Sequence, residues 1–365
     1  MRALLMVVIA ACTQPPLVEV PTDEAGEPLP SAGTATLRAG TIVLPASMTR
    51  DAALELTAVV FPAAGNDALS DLVRGNIIVS GTGDGFIRRV YAVEAEGDTI
   101  RVVTSPATLA DAVTDATFHM TAADPLSTPA HLDGRVEDLS AAIDGALTFA
   151  SAIELAFALD AEGLRSFDLQ VTGSGFASVE GAIDYTGTTH RAWGEERDWK
   201  TPLFRRTYAL GPLPIVVVGR VTTTLAASAF VEEAVTLTSG AQAELAIDAS
   251  SSYAPSTGWT MTDASDVRVT QLGPTHGGQG RASLAVGIDP KLELAFYGES
   301  GATLHLVMQA GAFGAYCGPS LFTGLQAALQ GSVTYELAPL VKSARTDVTL
   351  WDKRQMLDEL EACAP

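Results

Sequence analysis

Apolar residues alternate with polar or small residues along most of this chain. A period of two residues is typical of half-buried β-strands, whose side chains point to the two faces in turn. The pattern predicts strands at 41–45, 54–61, 76–80, 88–94, 99–104, 153–159, 167–172, 215–230, 242–249, 282–288, 292–297, 303–310 and 327–337. Gly, Asn and Asp residues separate them, as hairpin turns require. We therefore predict a mainly β fold, an antiparallel sandwich or long curved sheets.

Helical patterns are few and short. One or two turns are predicted at 108–114, one at 138–144, and a short amphipathic C-terminal helix at 350–362. Strand positions are rich in Ala, Gly, Ser and Thr, and aromatic residues make up only 6% of the chain. Small side chains allow two sheets to pack closely or to curve.

Residues 1–11 read as a short signal peptide, with Arg2 followed by an apolar run. The run ends in Ile9-Ala10-Ala11-Cys12, which resembles the lipobox of bacterial lipoproteins. The resemblance implies that Cys12 is lipidated and anchors an exported protein at the outer membrane or cell surface, on either face of that membrane. The alternatives are an ordinary cleaved signal with an incidental cysteine, or a short N-terminal anchor.

Composition divides the rest of the chain. Residues 12–36 are rich in Pro, Glu, Asp and small residues, and this predicts a lipidated cysteine followed by a flexible linker. Two boundaries between structural units are predicted, one near 121–137, where Pro, Asp and Gly cluster, and one around 187–214, which is richer in charged and aromatic residues. We expect an N-terminal β module at 37–130 and a C-terminal β domain with the terminal helix at 131–365.

The acidic balance narrows the range of partners. The formal net charge is −21, and a field of this sign repels nucleic acid and anionic lipid head groups. Besides Cys12, the chain contains Cys317 and Cys363. In an exported protein these two can form a disulfide bond that closes a loop of about 46 residues. The alternative is two unrelated thiols.

Local catalytic and metal-binding motifs are absent from the sequence. It contains no G-x-S-x-G elbow, HExxH, CxxC or P-loop, and its five histidines lack the spacing of metal ligands. We therefore predict no catalytic residue, no metal site and no cofactor.

Residues 190–206 form the most unusual segment. They hold two of the four tryptophans and five of the 22 basic residues of the chain. Tryptophan with arginine is typical of protein interaction hot spots and of platforms on which sugars stack. The candidate binding residues are Trp193, Arg197, Trp199, Arg205 and Arg206. The alternative is a long connector whose tryptophans cover the end of the core.

Two segments resemble a loosely related set of large, uncharacterised, secreted β-rich surface proteins of bacteria and some eukaryotic microbes. The first segment comprises Gly75-Asn76-Ile77-Ile78-Val79-Ser80, Gly85-Phe86-Ile87-Arg88-Arg89-Val90 and Thr104 to Val113. The second comprises Gly211-Pro212-Leu213-Pro214-Ile215-Val216-Val217, Gly258-Trp259 and Pro290 to Gly298. The resemblance spans much of residues 70–300. It implies a shared β scaffold outside the cytoplasm and supplies no catalytic residues.

Three functions remain open at this point. The leading one is a non-catalytic, membrane-anchored scaffold that binds a protein or glycan partner. The second is a carrier of lipid or another apolar ligand in a groove between sheets. The third is a hydrolase whose site is assembled from dispersed carboxylates.

Overall fold

The computed structural model describes residues 21–23, 25–278, 281–297, 302–317, 320–336 and 345–356. Within them the chain forms nineteen strands and a few single helical turns, so the predicted mainly β fold is confirmed. The strands are β1 (Ser31–Leu37), β2 (Thr41–Val43), β3 (Ala53–Leu54), β4 (Ala58–Pro62), β5 (Ile77–Ser80), β6 (Phe86–Glu96), β7 (Thr99–Pro106), β8 (Val113–Val136), β9 (Leu139–Asp160), β10 (Gly163–Tyr185), β11 (Arg191–Leu210), β12 (Leu213–Glu232), β13 (Val235–Ala254), β14 (Gly258–Asp263), β15 (Asp266–Gly278), β16 (Arg281–Phe296), β17 (Ala302–Cys317), β18 (Ser320–Glu336) and β19 (Arg345–Met356). The helical turns are α1 (Ala46–Thr49), α2 (Leu109–Ala112) and a 3-10 turn at Asp67–Asp71.

The strands form two curled sheets. The smaller sheet has the order β2-β5-β6-β7-β4-β3. The larger runs β14-β13-β10-β9-β8-β1-β11-β12-β16-β17-β18-β19, and β15 also pairs with β13. Most neighbours are antiparallel and consecutive in the sequence, as long hairpins require.

The larger sheet folds back on itself, so that two of its parts pack face to face. Gly145 on β9 meets Leu225 of β12 and Ile288 of β16, while Gly181 on β10 meets Val286 of β16. A Cβ at Gly181 would lie 2.6 Å from Val286, so the small residue allows the two layers to approach closely.

Alternation along the long strands fills the space between these layers. In β9 every second residue is buried, from Leu139 to Leu159, and the residues between them face outward. The predicted strand at 153–159 is therefore the last third of a longer one. The earlier part was missed because Ala142, Ala146 and Ala150 occupy outward positions, where polar residues would have marked the alternation.

The smaller sheet covers one end of this core. Ile77, Val79 and Ile87 belong to the core of the larger sheet, while Ile78 and Phe86 face a second core within the smaller unit. Both faces of β5 are thus buried, and the strands predicted at 76–80 and 88–94 form the hairpin of β5 and β6. On β6, Arg89 pairs with Asp111 at 2.8 Å.

Several predicted boundaries are corrected by the structure. Residues 31–36, the last part of the predicted linker, belong to β1, whose backbone pairs with β8 on one side and β11 on the other. The change from the smaller to the larger sheet lies between Pro106 and Val113, whereas residue 130 lies within β8. The boundary predicted near 121–137 lies almost entirely in the same unbroken strand.

Two helix predictions are wrong and one is partly confirmed. Residues 139–144 belong to β9, and residues 350–356 belong to β19. In both cases pairing with a neighbouring strand overrides the local helical pattern. Residues 357–362 lie outside the described residues. At 108–114 only the single turn α2 forms, with Thr108 and Asp111 making a capping box.

Candidate functional site

The segment predicted as a binding site or connector, 190–206, folds almost entirely as β11, a strand of the larger sheet. β1 separates β8 from β11 only along its own length. Past its N-terminal end, residues 191–208 of β11 run beside residues 119–136 of β8. Both strands are fully described there, and no ladder of backbone hydrogen bonds joins them. We call this unpaired boundary the β8–β11 seam.

The orientation of the peptide groups explains why the seam is unpaired. On β8 the carbonyl of Thr117 meets β1 at Gly33, and the carbonyl of Thr121 accepts a 3.5 Å hydrogen bond from Arg206 of β11. Odd-numbered residues of β8 therefore direct their backbone groups at the seam. Pro125 and Pro129 have the same parity, and since proline has no N–H, they interrupt any ladder there without weakening the pairing with β9.

Side chains bridge the seam in place of the backbone. Near the end of the seam that adjoins β1, Arg206 Nη2 lies 2.8 Å from Asp124 Oδ2, with both side chains about one-third exposed. At the other end, which we call the upper end, the Trp193 ring packs against Gly134, where a Cβ would lie 2.2 Å from the ring. Arg191 also pairs with Glu137.

The core-facing side of β11 carries charged residues that solvent reaches. Arg197 lies opposite Leu225 and Glu195 lies opposite Ala227, both buried on the neighbouring strand β12. Residues opposite each other in an antiparallel pair share a face, so these two charges point toward the core side. Both are nevertheless exposed, because no strand pairs with β11 along this edge.

The structure brings four of the five predicted binding residues to this one face. Trp193 and Trp199 are half-buried and pack on the core, with Arg197 between them. A bulge between Pro202 and Phe204 shifts the alternation by one, which places Arg206 on the same face. Arg205 lies on the opposite face, 3.7 Å from Asp84 of the β5–β6 turn.

A cleft lies at the N-terminal end of β1, next to the seam. Its volume is about 520 Å³, and it opens between β8 and β11. It is lined by Pro30, Ser31, His119, Met120, Thr121, Arg206, Thr207 and Tyr208. No local sequence pattern predicts this cleft, because its walls come from three segments distant along the chain.

A second polar cluster lies on the outer surface of β8 and β9. His131 makes contacts of 2.7 Å to Asp144 and 2.8 Å to Asp133, one through each ring nitrogen. Hydrogen bonds that the imidazole donates to Asp144 and then to Asp133 raise the pKa of His131 above its usual value of about 6.5. The His131 imidazole is therefore protonated more readily than that of an isolated histidine.

The remaining predictions meet the structure only in part. Cys12 and Cys363 lie outside the described residues, while Cys317 ends β17. In the part of the chain that is described, no three His, Cys, Asp or Glu side chains are placed to hold a metal ion. Among those residues, too, no helix is both long and apolar enough to cross a bilayer.

The interior beside the seam contains a small, wholly apolar cavity of about 20 Å³. It is lined by Leu126, Leu147, Phe149, Val221, Ile247, Pro290 and Leu292. The lining residues come from β8, β9, β12, β13 and β16, so the cavity lies between the two layers of the larger sheet.

Comparison with protein-family models and with curated proteins gives no match for this chain.

Proposed function

We propose that this protein is a non-catalytic β scaffold, anchored outside the cytoplasm through Cys12, that binds a protein or glycan partner along the β8–β11 seam. The observation that carries the proposal is the core-facing side of β11. There Trp193, Arg197 and Trp199 share one face, half-buried or exposed, beside a strand edge without a ladder partner.

The physical argument is that this edge combines the features of a binding site. Tryptophan and arginine contribute much of the energy at interaction surfaces, since they bury large areas at low entropic cost. An unpaired strand edge also offers backbone donors and acceptors that favour a partner. Elsewhere on the acidic chain such a cluster of basic and aromatic residues is rare.

A capture experiment with the full-length chain tests the proposal. Wild type, Trp193→Ala/Trp199→Ala and Trp259→Ala are each immobilised and exposed to cell-envelope extract and to a glycan array. Trp259 is the matched control, because it packs with Phe167 and Tyr253 away from the seam. We expect the double variant alone to lose binding of a specific protein or glycan. Equal binding by all three would refute a role for the seam tryptophans.

The anchor is tested separately by mass. In a Gram-negative host we expect an intact mass that includes acyl chains on Cys12, and an unmodified mass for Cys12→Ser. An unmodified wild type would remove the anchor from the proposal and leave the seam argument unchanged.

A second function, the carriage of an apolar ligand, is favoured by the cavity behind Leu126. Its seven lining residues are all apolar, as a dry site for a hydrocarbon requires. A volume of about 20 Å³ is too small for an alkyl chain, so the layers would have to separate. Native mass spectrometry that shows a co-purifying lipid would favour this function over the scaffold.

A further inference from the structure

We propose that the cleft at the N-terminal end of β1 binds a short extended segment of a partner polypeptide, which pairs with β8 as an added strand. This inference rests on the proposed scaffold function and names the class of partner at its site.

β1 shows that a strand fits between these edges. It pairs with β8 in the antiparallel sense and with β11 in the parallel sense. Its pairing with β8 begins at Gly33, opposite Phe118, so the next residues of β8 have no ladder partner from β1. The cleft lies at that point, and its position continues an interface that the protein already uses.

The chemistry of both walls suits a peptide backbone. By the parity of β8, the peptide groups of His119, Thr121 and Ala123 face the cleft. On the opposite wall the N–H of Ala209 donates to Pro30 at 2.8 Å, so the backbone of Thr207 faces the same way. Alternating donors and acceptors at strand spacing match an extended polypeptide better than a sugar chain.

Pro125 sets the length of the added strand. Since its nitrogen carries no hydrogen, the row of donors on β8 is interrupted after Ala123. The pairing therefore involves only a few residues of the partner. Residues of the added strand that face the core would lie near Met120, which favours apolar side chains at alternate positions.

The test uses a fluorescein-labelled octapeptide of alternating threonine and valine, added to the full-length chain. A second peptide of the same sequence carries N-methyl groups on its valine amides and so lacks donors on one edge. Binding is measured by anisotropy, and its place by hydrogen exchange. We expect the first peptide to slow exchange at residues 119–123, and the methylated peptide to have no effect.

Two protein variants locate the pairing. Ala123→Pro removes a donor in the cleft, whereas Ser127→Pro removes one of the same parity between the two native prolines, beyond the cleft. We expect binding to weaken by about tenfold or more in Ala123→Pro and to stay within about twofold of wild type in Ser127→Pro. The native prolines at 125 and 129 show that this edge tolerates proline.

The proposal is overturned if no exchange is slowed at 119–123, if the methylated peptide binds equally well, or if Ala123→Pro binds as wild type does. Binding of only a glycan, lost in Trp193→Ala/Trp199→Ala, would likewise overturn the added strand while supporting the scaffold. Peptide pairing without any loss of partner in that double variant would support the cleft and contradict the role of the tryptophans.

Discussion

Trp193 on β11 packs so closely against Gly134 on β8 that a Cβ at position 134 would lie 2.2 Å from Cε2 of the indole. The two residues are 59 positions apart in the sequence, and their contact closes the upper end of the β8–β11 seam. A glycine is required there because the ring occupies the space of a side chain.

Gly134→Ala should therefore displace the Trp193 ring. We expect a loss of about 1–3 kcal/mol in the free energy of unfolding, as for other overpacked sites, together with a red shift in tryptophan emission. Urea unfolding and fluorescence spectra measure the two effects. Gly194→Ala is the control, because its Cβ would meet nothing closer than 3.6 Å. Equal behaviour of the two variants would contradict the packing described here.

The ion pair between Arg206 and Asp124 should contribute modestly and depend on salt. Both side chains are about one-third exposed, so we expect Arg206→Gln to lower the free energy of unfolding by about 0.5–1 kcal/mol. The difference from wild type should shrink in about 1 M salt, where charges are screened. Arg165→Gln, whose partner Asp160 is 3.7 Å away at an exposed hairpin, should show almost no loss. A large, salt-independent loss would mean that Arg206 acts through packing.

The hydroxyl of Tyr297 should matter for folding because it is fully buried. It donates a 2.7 Å hydrogen bond to the carbonyl of Pro214, and burial raises its pKa. Tyr297→Phe leaves that buried carbonyl without this donor, at an expected cost of about 1–3 kcal/mol. Chemical denaturation should show no such cost for Tyr91→Phe, because Tyr91 is exposed. If the two variants unfold alike, the bond is not a stabilising one.

His131 should make stability depend on pH in a defined direction. Asp144 and Asp133 raise its pKa in the folded state, so its contribution is complete below the unfolded pKa of about 6.5. That contribution is lost as pH rises through the higher folded pKa. Wild type should therefore exceed Asp144→Asn in melting temperature by more at about pH 5.5 than at about pH 9. A constant difference, or an NMR titration of His131 below 6.5, would contradict the cluster.

The sequence predicted the class of fold and the composition of the site, but not the arrangement of either. Alternation identified most of β12. It cut β9 short, since Ala142, Ala146 and Ala150 on its outward face weaken the contrast with the buried face. Long-range pairing decides such strands, and no local pattern contains that information.

The candidate site was predicted from β11 alone. Trp193 and Arg206 were found by composition, yet their partners on β8, Gly134 and Asp124, could be identified only from the arrangement of the strands. The prolines of β8 suggested a domain boundary instead. In the structure the same residues leave one edge of an unbroken strand unpaired.

From residue 119 onward, β8 pairs with β9 on one edge and has no ladder partner on the other. Residue-resolved hydrogen exchange on the full-length chain tests this arrangement most directly. We predict that the amides of Thr121, Ala123 and Ser127, which face the seam, exchange much faster than those of Met120, Ala122 and Leu126, which pair with β9. Uniform protection along β8 would show that β11 pairs with it directly, and would contradict both the seam and the binding site proposed there.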